Sequence, residues 1–180
     1  ANFALLCFRI NNTTHRQLPL QACFNSRDLG GISNQAGRNI KTQLLLRADD
    51  LSSLSTADVA YLCELPLHTV IDFRSTLEQN HKPDIVPDSC QRHLHLDILS
   101  GNMEGYMQQM KDRSANARAI MFEIYSDLVL NPQSQQQYRQ FFNVLQQEPQ
   151  GSLLFHCSAG KDRTGIATAL ILEALGVERD

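Results

Sequence analysis

The chain has 180 residues, of which 42% are hydrophobic and 19% are charged. This balance is typical of a soluble globular domain and excludes a disordered chain. The net charge of −3, without a basic stripe, argues against a nucleic-acid partner, and no apolar run approaches the roughly 20 residues of a membrane span. We therefore expect a cytoplasmic or a secreted protein.

The predicted elements of the first half are short strands separated by turns and one helix. Apolar and β-branched runs predict strands at 3–10, 44–47 and 69–74. Residues 25–31 predict a turn, in which two glycines allow backbone angles that other residues avoid. Ser55 is the expected N-cap of a helix, with Asp58 as its partner in a capping box.

In the second half, residues 93–98 alternate polar and apolar side chains and predict a half-buried strand. The remaining patterns predict helices at 104–113 and 117–130, a helix that begins with Asn131 as N-cap and Pro132, a buried strand at 152–155 and a helix over 165–172. Strands that alternate with helices favour a single α/β domain over residues 1–180, with a mainly parallel sheet.

The five cysteines are widely spaced and include no CxxC pair: Cys7, Cys23, Cys63, Cys90 and Cys157. This arrangement favours reduced thiols over a disulfide framework or a zinc site. One disulfide among the first four stays an open alternative, as does a protective disulfide between one of them and Cys157.

Residues 156–165, His-Cys-Ser-Ala-Gly-Lys-Asp-Arg-Thr-Gly, place a cysteine and an arginine at the ends of a loop between a strand and a helix. The backbone N–H groups of such a loop can surround a phosphate, and the helix N-terminus adds partial positive charge. Arg163 can bind two phosphate oxygens, and the same field favours the nucleophilic thiolate of Cys157. The alternative is a buried structural cysteine, because this cysteine–arginine spacing alone occurs by chance.

Three stretches carry a resemblance to a known family: 25–31 (Asn-Ser-Arg-Asp-Leu-Gly-Gly), 71–78 (Ile-Asp-Phe-Arg-Ser-Thr-Leu-Glu) and the loop itself. The chain resembles the atypical bacterial protein tyrosine phosphatases of the PtpB type over most of residues 20–180. The resemblance implies a cysteine-phosphatase fold, with helices on both faces of a mostly parallel sheet, and hydrolysis through a phosphocysteine intermediate. It also implies phosphotyrosine proteins or phosphoinositides as substrates, dual specificity, and C-terminal helices beyond Asp180.

In the expected reaction, Cys157 attacks phosphorus and Arg163 binds two equatorial oxygens. Thr164 is placed to donate its hydroxyl to the cysteine sulfur and help the thiolate leave in the second step. His156 is expected to order the loop through hydrogen bonds. The residues expected to bind substrate are Ser158, Ala159, Gly160, Lys161, Asp162 and Arg163, together with Arg27.

Two aspartates are candidates for the general acid. Asp97 ranks first, because it follows a predicted strand and begins a glycine-containing loop that could close over the substrate. For Asp162 the resemblance implies a catalytic part, and the alternative is a brace of the loop or an ion pair with Arg27 or Arg47. Lys161 resembles the lysine of phosphatases that accept phosphoinositides, where it could meet a second phosphate, or it is simply a solvated lysine.

No cofactor or metal is expected. His93, His95 and Asp97 share one face of a predicted strand, but no further ligand completes a metal site. A pseudophosphatase that binds phosphoryl groups without turnover is the main alternative to an enzyme, although the intact Cys157 and Arg163 argue against it. Sulfur transfer and arsenate reduction also use a cysteine in an oxyanion loop, and the long upstream match argues against both.

Overall fold

A five-stranded sheet with helices packed against it forms the domain. The computed structural model describes residues 16–65, 67–99, 102–111, 116–147 and 150–178, and the strand expected at 3–10 lies outside them. The strands are β1 (Arg27–Asp28), β2 (Leu45–Ala48), β3 (Leu67–Asp72), β4 (Arg92–His95) and β5 (Ser152–His156). The helices are α1 (Thr56–Glu64), α2 (Thr76–His81), α3 (Asn102–Lys111), α4 (Ala117–Leu130), α5 (Pro132–Leu145) and α6 (Asp162–Ala174).

Strand β5 lies at the centre of the sheet, whose order is β1-β2-β5-β3-β4. It pairs in parallel with β2 on one side and with β3 on the other, and β3 pairs in parallel with β4. Only the short edge strand β1 runs antiparallel to its neighbour among the named strands. The expectation of a mainly parallel α/β sheet is therefore confirmed.

Both faces of the sheet are covered, and alternate side chains of β5 point to opposite faces. Leu153 and Phe155 belong to the larger apolar core, which includes residues of α4, α5 and α6. Leu154 belongs to the smaller core on the other face, together with Leu62 of α1. Because β5 is buried along its whole length, the end of this strand is a rigid support for the loop that begins at Cys157.

The starts of α1 and α5 were predicted correctly, because capping is a local property of the sequence. Ser55 and Asp58 form the expected capping box at α1, and Asn131 caps α5, in which Pro132 is the first residue. Helix α4 has the predicted bounds, whereas α3 begins two residues earlier than expected, and residues 112–113 of the predicted helix lie outside the described residues. Among the described residues, every helix is too short or too polar to cross a lipid bilayer.

Two further boundaries differ from the predictions by three residues each. The strand expected at 93–98 ends at His95, although the N–H groups of Leu96 and Ile98 still donate to the carbonyl oxygens of Asp72 and Phe73. The left-handed backbone of Leu99, whose φ is +93°, follows. The last helix begins at Asp162 instead of Gly165, so Arg163 lies inside its first turn. This earlier start brings the N-terminus of α6 directly to the end of β5.

Candidate active site

The loop after β5 holds the predicted nucleophile at the bottom of a cavity. Cys157 is 2% exposed and directly follows the strand, and Arg163 is 4% exposed. The cavity above them has a volume of about 850 Å³ and is bounded by the loop and by residues of α2, α3 and α4. The structure thus brings the two ends of the predicted phosphate loop to one cavity.

The turn of the loop depends on a glycine that touches the neighbouring strand. Gly160 has a φ of +60°, in the left-handed region that side chains disfavour. A Cβ at this position would lie 2.7 Å from the carbonyl oxygen of Ala48 at the end of β2. No side chain fits there without displacing the loop or the strand.

Side chains from outside the loop hold its carbonyl groups. The amide nitrogen of Asn25 donates to the carbonyl oxygens of Ala159 and Gly160, at 2.9 and 3.0 Å. A guanidinium nitrogen of Arg47 donates to the Gly160 carbonyl at 2.5 Å. Since C=O and N–H point in opposite directions across a peptide unit, holding these carbonyls outward directs the following N–H groups toward the cavity.

Arg27 reaches the loop indirectly. Its guanidinium donates to the amide oxygen of Asn25 at 2.9 Å, which fixes the amide with its nitrogen toward the loop. Arg27 was expected to bind substrate, but it is not among the residues that line the cavity in the described structure. Its observed contact is with the residue that holds the loop.

Glu78 forms a bidentate ion pair with Arg163. Its two carboxylate oxygens lie 2.7 and 2.8 Å from the two terminal guanidinium nitrogens. The hydroxyl of Ser158, inside the loop, also donates to this carboxylate. Burial alone would raise the pKa of Glu78, but the hydrogen bonds and charge of Arg163 outweigh it and lower the pKa to about 2.

The position of Glu78 is fixed by its own helix. Ser75 is the N-cap of α2, and its hydroxyl accepts from the Glu78 N–H at 3.3 Å while its N–H donates to the Glu78 carboxylate at 2.8 Å. The pattern Ser75-x-x-Glu78 is a capping-box signal in the sequence, so this residue could have been placed at a helix start. Its partnership with Arg163, 85 residues away, has no local signal.

Of the two candidate acids, Asp162 lines the cavity and Asp97 does not. One oxygen of Asp162 accepts from the ammonium of Lys161 at 2.6 Å and from the hydroxyl of Tyr125. Burial raises the pKa of Asp162, but these two hydrogen bonds outweigh it, so its pKa lies below the usual value. Among the described residues, the cation that pairs with Asp162 is its sequence neighbour Lys161 and not Arg27 or Arg47, and the alternative role of a loop brace stays open.

His156, which precedes the nucleophile, and Thr164, which follows Arg163, are both buried. The hydroxyl oxygen of Thr164 has no hydrogen-bond partner among the described residues, so the bond to the cysteine sulfur stays a prediction. The ring of His156 bonds through Nε2 to Asp84 at 3.0 Å. Asp84 is ionised, because His156, His93 and Arg74 together hold its pKa well below the usual range despite its burial.

The predicted trio His93, His95 and Asp97 does not form a ligand cluster. The ring of His95 bonds to the carbonyl oxygen of Arg74 at 2.6 Å. In the described part of the chain, ligand atoms converge instead at Asp72, Asp84 and His93. The Arg74 guanidinium already bridges the two carboxylates there, at 2.7 Å from each, so a cation of the protein itself occupies this cluster.

The known proteins that this chain resembles are named as phosphatases, which agrees with the geometry of this site. A family model described as the tyrosine phosphatase family matches residues 18–180. A candidate tyrosine-protein phosphatase from Cupriavidus necator is 36% identical over 87% of the chain and 56% of its own length. A tyrosine-protein phosphatase from Nostoc commune is 31% identical over 78% of the chain and 46% of its own length.

A third relative is the triple specificity protein phosphatase PtpB of Mycobacterium tuberculosis, which is 28% identical over 92% of the chain and 65% of its own length. The chain thus spans between about half and two thirds of these curated relatives. The family model, the PtpB relative and the geometry of the loop confirm the resemblance seen in the sequence. The chain belongs to the tyrosine phosphatase family.

Proposed function

We propose that this chain is a cysteine-dependent phosphatase that hydrolyses phosphate monoesters, with protein phosphotyrosine as its main substrate. The observation that carries the proposal is the placement of Cys157 and Arg163 at the floor of one cavity, in a loop whose carbonyls are held outward. This arrangement offers a dianion several backbone donors, a guanidinium and a sulfur nucleophile.

In the first step, the thiolate of Cys157 attacks phosphorus while the bond from phosphorus to the leaving oxygen breaks. A carboxylic acid gives its proton to that oxygen, which leaves as a phenol or alcohol, and a phosphocysteine remains. In the second step, water attacks phosphorus and the sulfur–phosphorus bond breaks. The water proton passes to the carboxylate, inorganic phosphate is released and the thiolate is restored.

Arg163 supplies most of the charge stabilisation in both steps. Glu78 holds both terminal guanidinium nitrogens, so the plane of the fork is fixed before the substrate arrives. Burial lowers the pKa of Arg163, but the Glu78 carboxylate outweighs this and raises it, which keeps the guanidinium charged throughout turnover. A donor that is already oriented needs no reorganisation when charge develops on the equatorial oxygens.

The geometry favours Asp162 as the acid. It lies within residues 156–165, in the first turn of α6, and lines the cavity, whereas Asp97 lies beyond β4 and outside the lining residues of the described cavity. Asp162 is ionised in this structure, so it must take up a proton before it can act. The contacts around its carboxylate therefore control how readily Asp162 is protonated.

The cavity walls favour an aromatic leaving group. Leu77, Met121 and Ile124 line the space above Cys157, and their apolar surfaces fit the ring of phosphotyrosine. The sulfur lies at the floor of this space, and phosphotyrosine carries its phosphorus farther from the backbone than phosphoserine does. The exposed Lys161 at the rim could meet a second phosphate, which would extend the activity to phosphoinositides.

The test is a substrate panel with the reduced chain: a phosphotyrosine peptide, the matched phosphoserine peptide and a phosphoinositide in detergent. We expect the phosphotyrosine peptide to be hydrolysed fastest. Lys161→Ala should lower the lipid-to-peptide rate ratio, and the control Lys41→Ala, away from the cavity, should leave it unchanged. An unchanged ratio in Lys161→Ala would remove the second-phosphate role, and binding without any turnover would favour a pseudophosphatase.

A further inference from the structure

A hydrogen bond joins the cavity wall to the phosphate loop. Helix α4 contributes Met121, Ile124 and Leu128 to the wall of the cavity. From the same helix, the hydroxyl of Tyr125 donates to an oxygen of Asp162, beside the catalytic arginine. This bond connects an element that covers the substrate space with the residue that the geometry favours as the general acid.

The same helix has a second bond of this type that does not touch the loop. The hydroxyl of Tyr106, on α3, donates to a carboxylate oxygen of Asp127 on α4 at 2.6 Å. The two tyrosine–carboxylate pairs therefore differ in the element that carries the carboxylate. Asp127 belongs to α4, whereas Asp162 belongs to the catalytic loop.

The chemistry at Asp162 links the contact to protonation. The carboxylate oxygen that accepts from Tyr125 also accepts from the Lys161 ammonium, and Arg163 adds a further positive charge nearby. Each of these groups stabilises the ionised form. A general acid must carry a proton when the substrate reacts, so the contacts in this structure hold Asp162 in its inactive protonation state.

We propose that Tyr125 is a positioning residue that couples α4 to the general acid: its hydrogen bond holds Asp162 ionised, and withdrawal of the helix lets Asp162 take up the proton that it delivers to the leaving group. The inference rests on the proposed phosphatase function. Tyr125 is 41% exposed, so solvent can replace its hydroxyl when the helix moves.

The test is the pH profile of kcat with phenyl phosphate, a substrate whose poor leaving group depends on the acid. At high pH kcat falls as Asp162 loses its proton, and this fall is the descending limb of the profile. In Tyr125→Phe the limb should move to higher pH, because the Asp162 carboxylate has lost one hydrogen-bond donor. At pH values above the midpoint of that limb, kcat of Tyr125→Phe should exceed that of the wild type on the order of threefold, as expected for the loss of one partly solvated hydrogen bond to a charged group. Tyr106→Phe is the matched control and should keep the wild-type profile.

Hydrogen exchange separates the coupling from a general loosening of the wall. Both tyrosine variants are expected to speed amide exchange in α4, but only Tyr125→Phe should move the pH limb. In the Asp162→Asn background, Tyr125→Phe should have no further effect on the limb. An unmoved limb in Tyr125→Phe, or the same shift in Tyr106→Phe, overturns the inference while leaving the phosphatase function standing; an inactive wild-type chain would instead overturn the function.

Discussion

Arg163 and Glu78 face each other in a two-bond ion pair, with distances of 2.7 and 2.8 Å, and both line the cavity that contains Cys157. The pair is nearly closed to solvent, since the side chains of Arg163 and Glu78 are 5% and 24% exposed. It therefore orients the guanidinium and also contributes to stability, and the two contributions can be measured separately.

Glu78→Gln keeps the shape of the side chain and removes its charge. We expect kcat/KM to fall by roughly ten- to a hundredfold, because Arg163 loses its fixed orientation. Chemical denaturation should show a loss of up to about 3 kcal/mol near neutral pH. A variant with wild-type kcat/KM would show that the arginine is oriented by other contacts.

The pKa of about 2 for Glu78 predicts an acid dependence of stability. Because this pKa is lowered from 4.5, the stabilisation is fully present above the unfolded value and is lost as the pH falls from about 4.5 toward 2. Over that window the stability difference between the wild type and Glu78→Gln should shrink. A difference that stays constant down to pH 2 would contradict the assigned ion pair.

Asn25 holds the loop carbonyls, so Asn25→Ala should weaken the binding of inorganic phosphate and vanadate by about tenfold while changing the fold little. The matched control is Asn34→Ala, which removes an amide bond to the Leu175 carbonyl, at 3.0 Å, far from the loop in sequence. Isothermal titration of both variants is the measurement. Equal oxyanion affinity in the two variants would show that Asn25 has no part in shaping the loop.

Gly160 and Gly37 both have positive φ, of +60° and +70°, but only Gly160 is crowded. A Cβ at Gly37 would meet nothing within 4 Å. Gly37→Ala should therefore cost about 1 kcal/mol of stability and leave turnover unchanged. Gly160→Ala should lose activity by more than a hundredfold, measured with an aryl phosphate, and retained activity would show that the loop tolerates displacement from β2.

Asp162 and Asp97 are the two candidates for the general acid, and their asparagine variants distinguish them. Asp162→Asn should lower kcat for phenyl phosphate by about a hundredfold, and much less for 4-nitrophenyl phosphate, whose leaving group needs little protonation. Asp97→Asn should affect the two substrates equally. The reverse pattern, with the leaving-group dependence in Asp97→Asn, would assign the role to Asp97.

The parts of the site that were predictable from the sequence are those that lie next to one another in the chain. Cys157 and Arg163 lie six positions apart, so one strand, one loop and one helix start are enough to place them. Asn25 reaches the loop from 134 and 135 positions away, and no short-range pattern encodes that pairing. The ranking of Asp97 above Asp162 rested on local position alone, and the fold brings only Asp162 to the cavity.

The central claim is that Cys157 becomes covalently phosphorylated during turnover. The most direct measurement is rapid acid quenching of the reduced chain with a phosphotyrosine peptide, followed by mass spectrometry of the peptide that contains Cys157. We expect one phosphoryl group on that sulfur in the wild type, and no modification or turnover in Cys157→Ser, which should still bind the phosphopeptide. Turnover by Cys157→Ser at the wild-type rate, or a phosphoryl group on another residue, would contradict this claim.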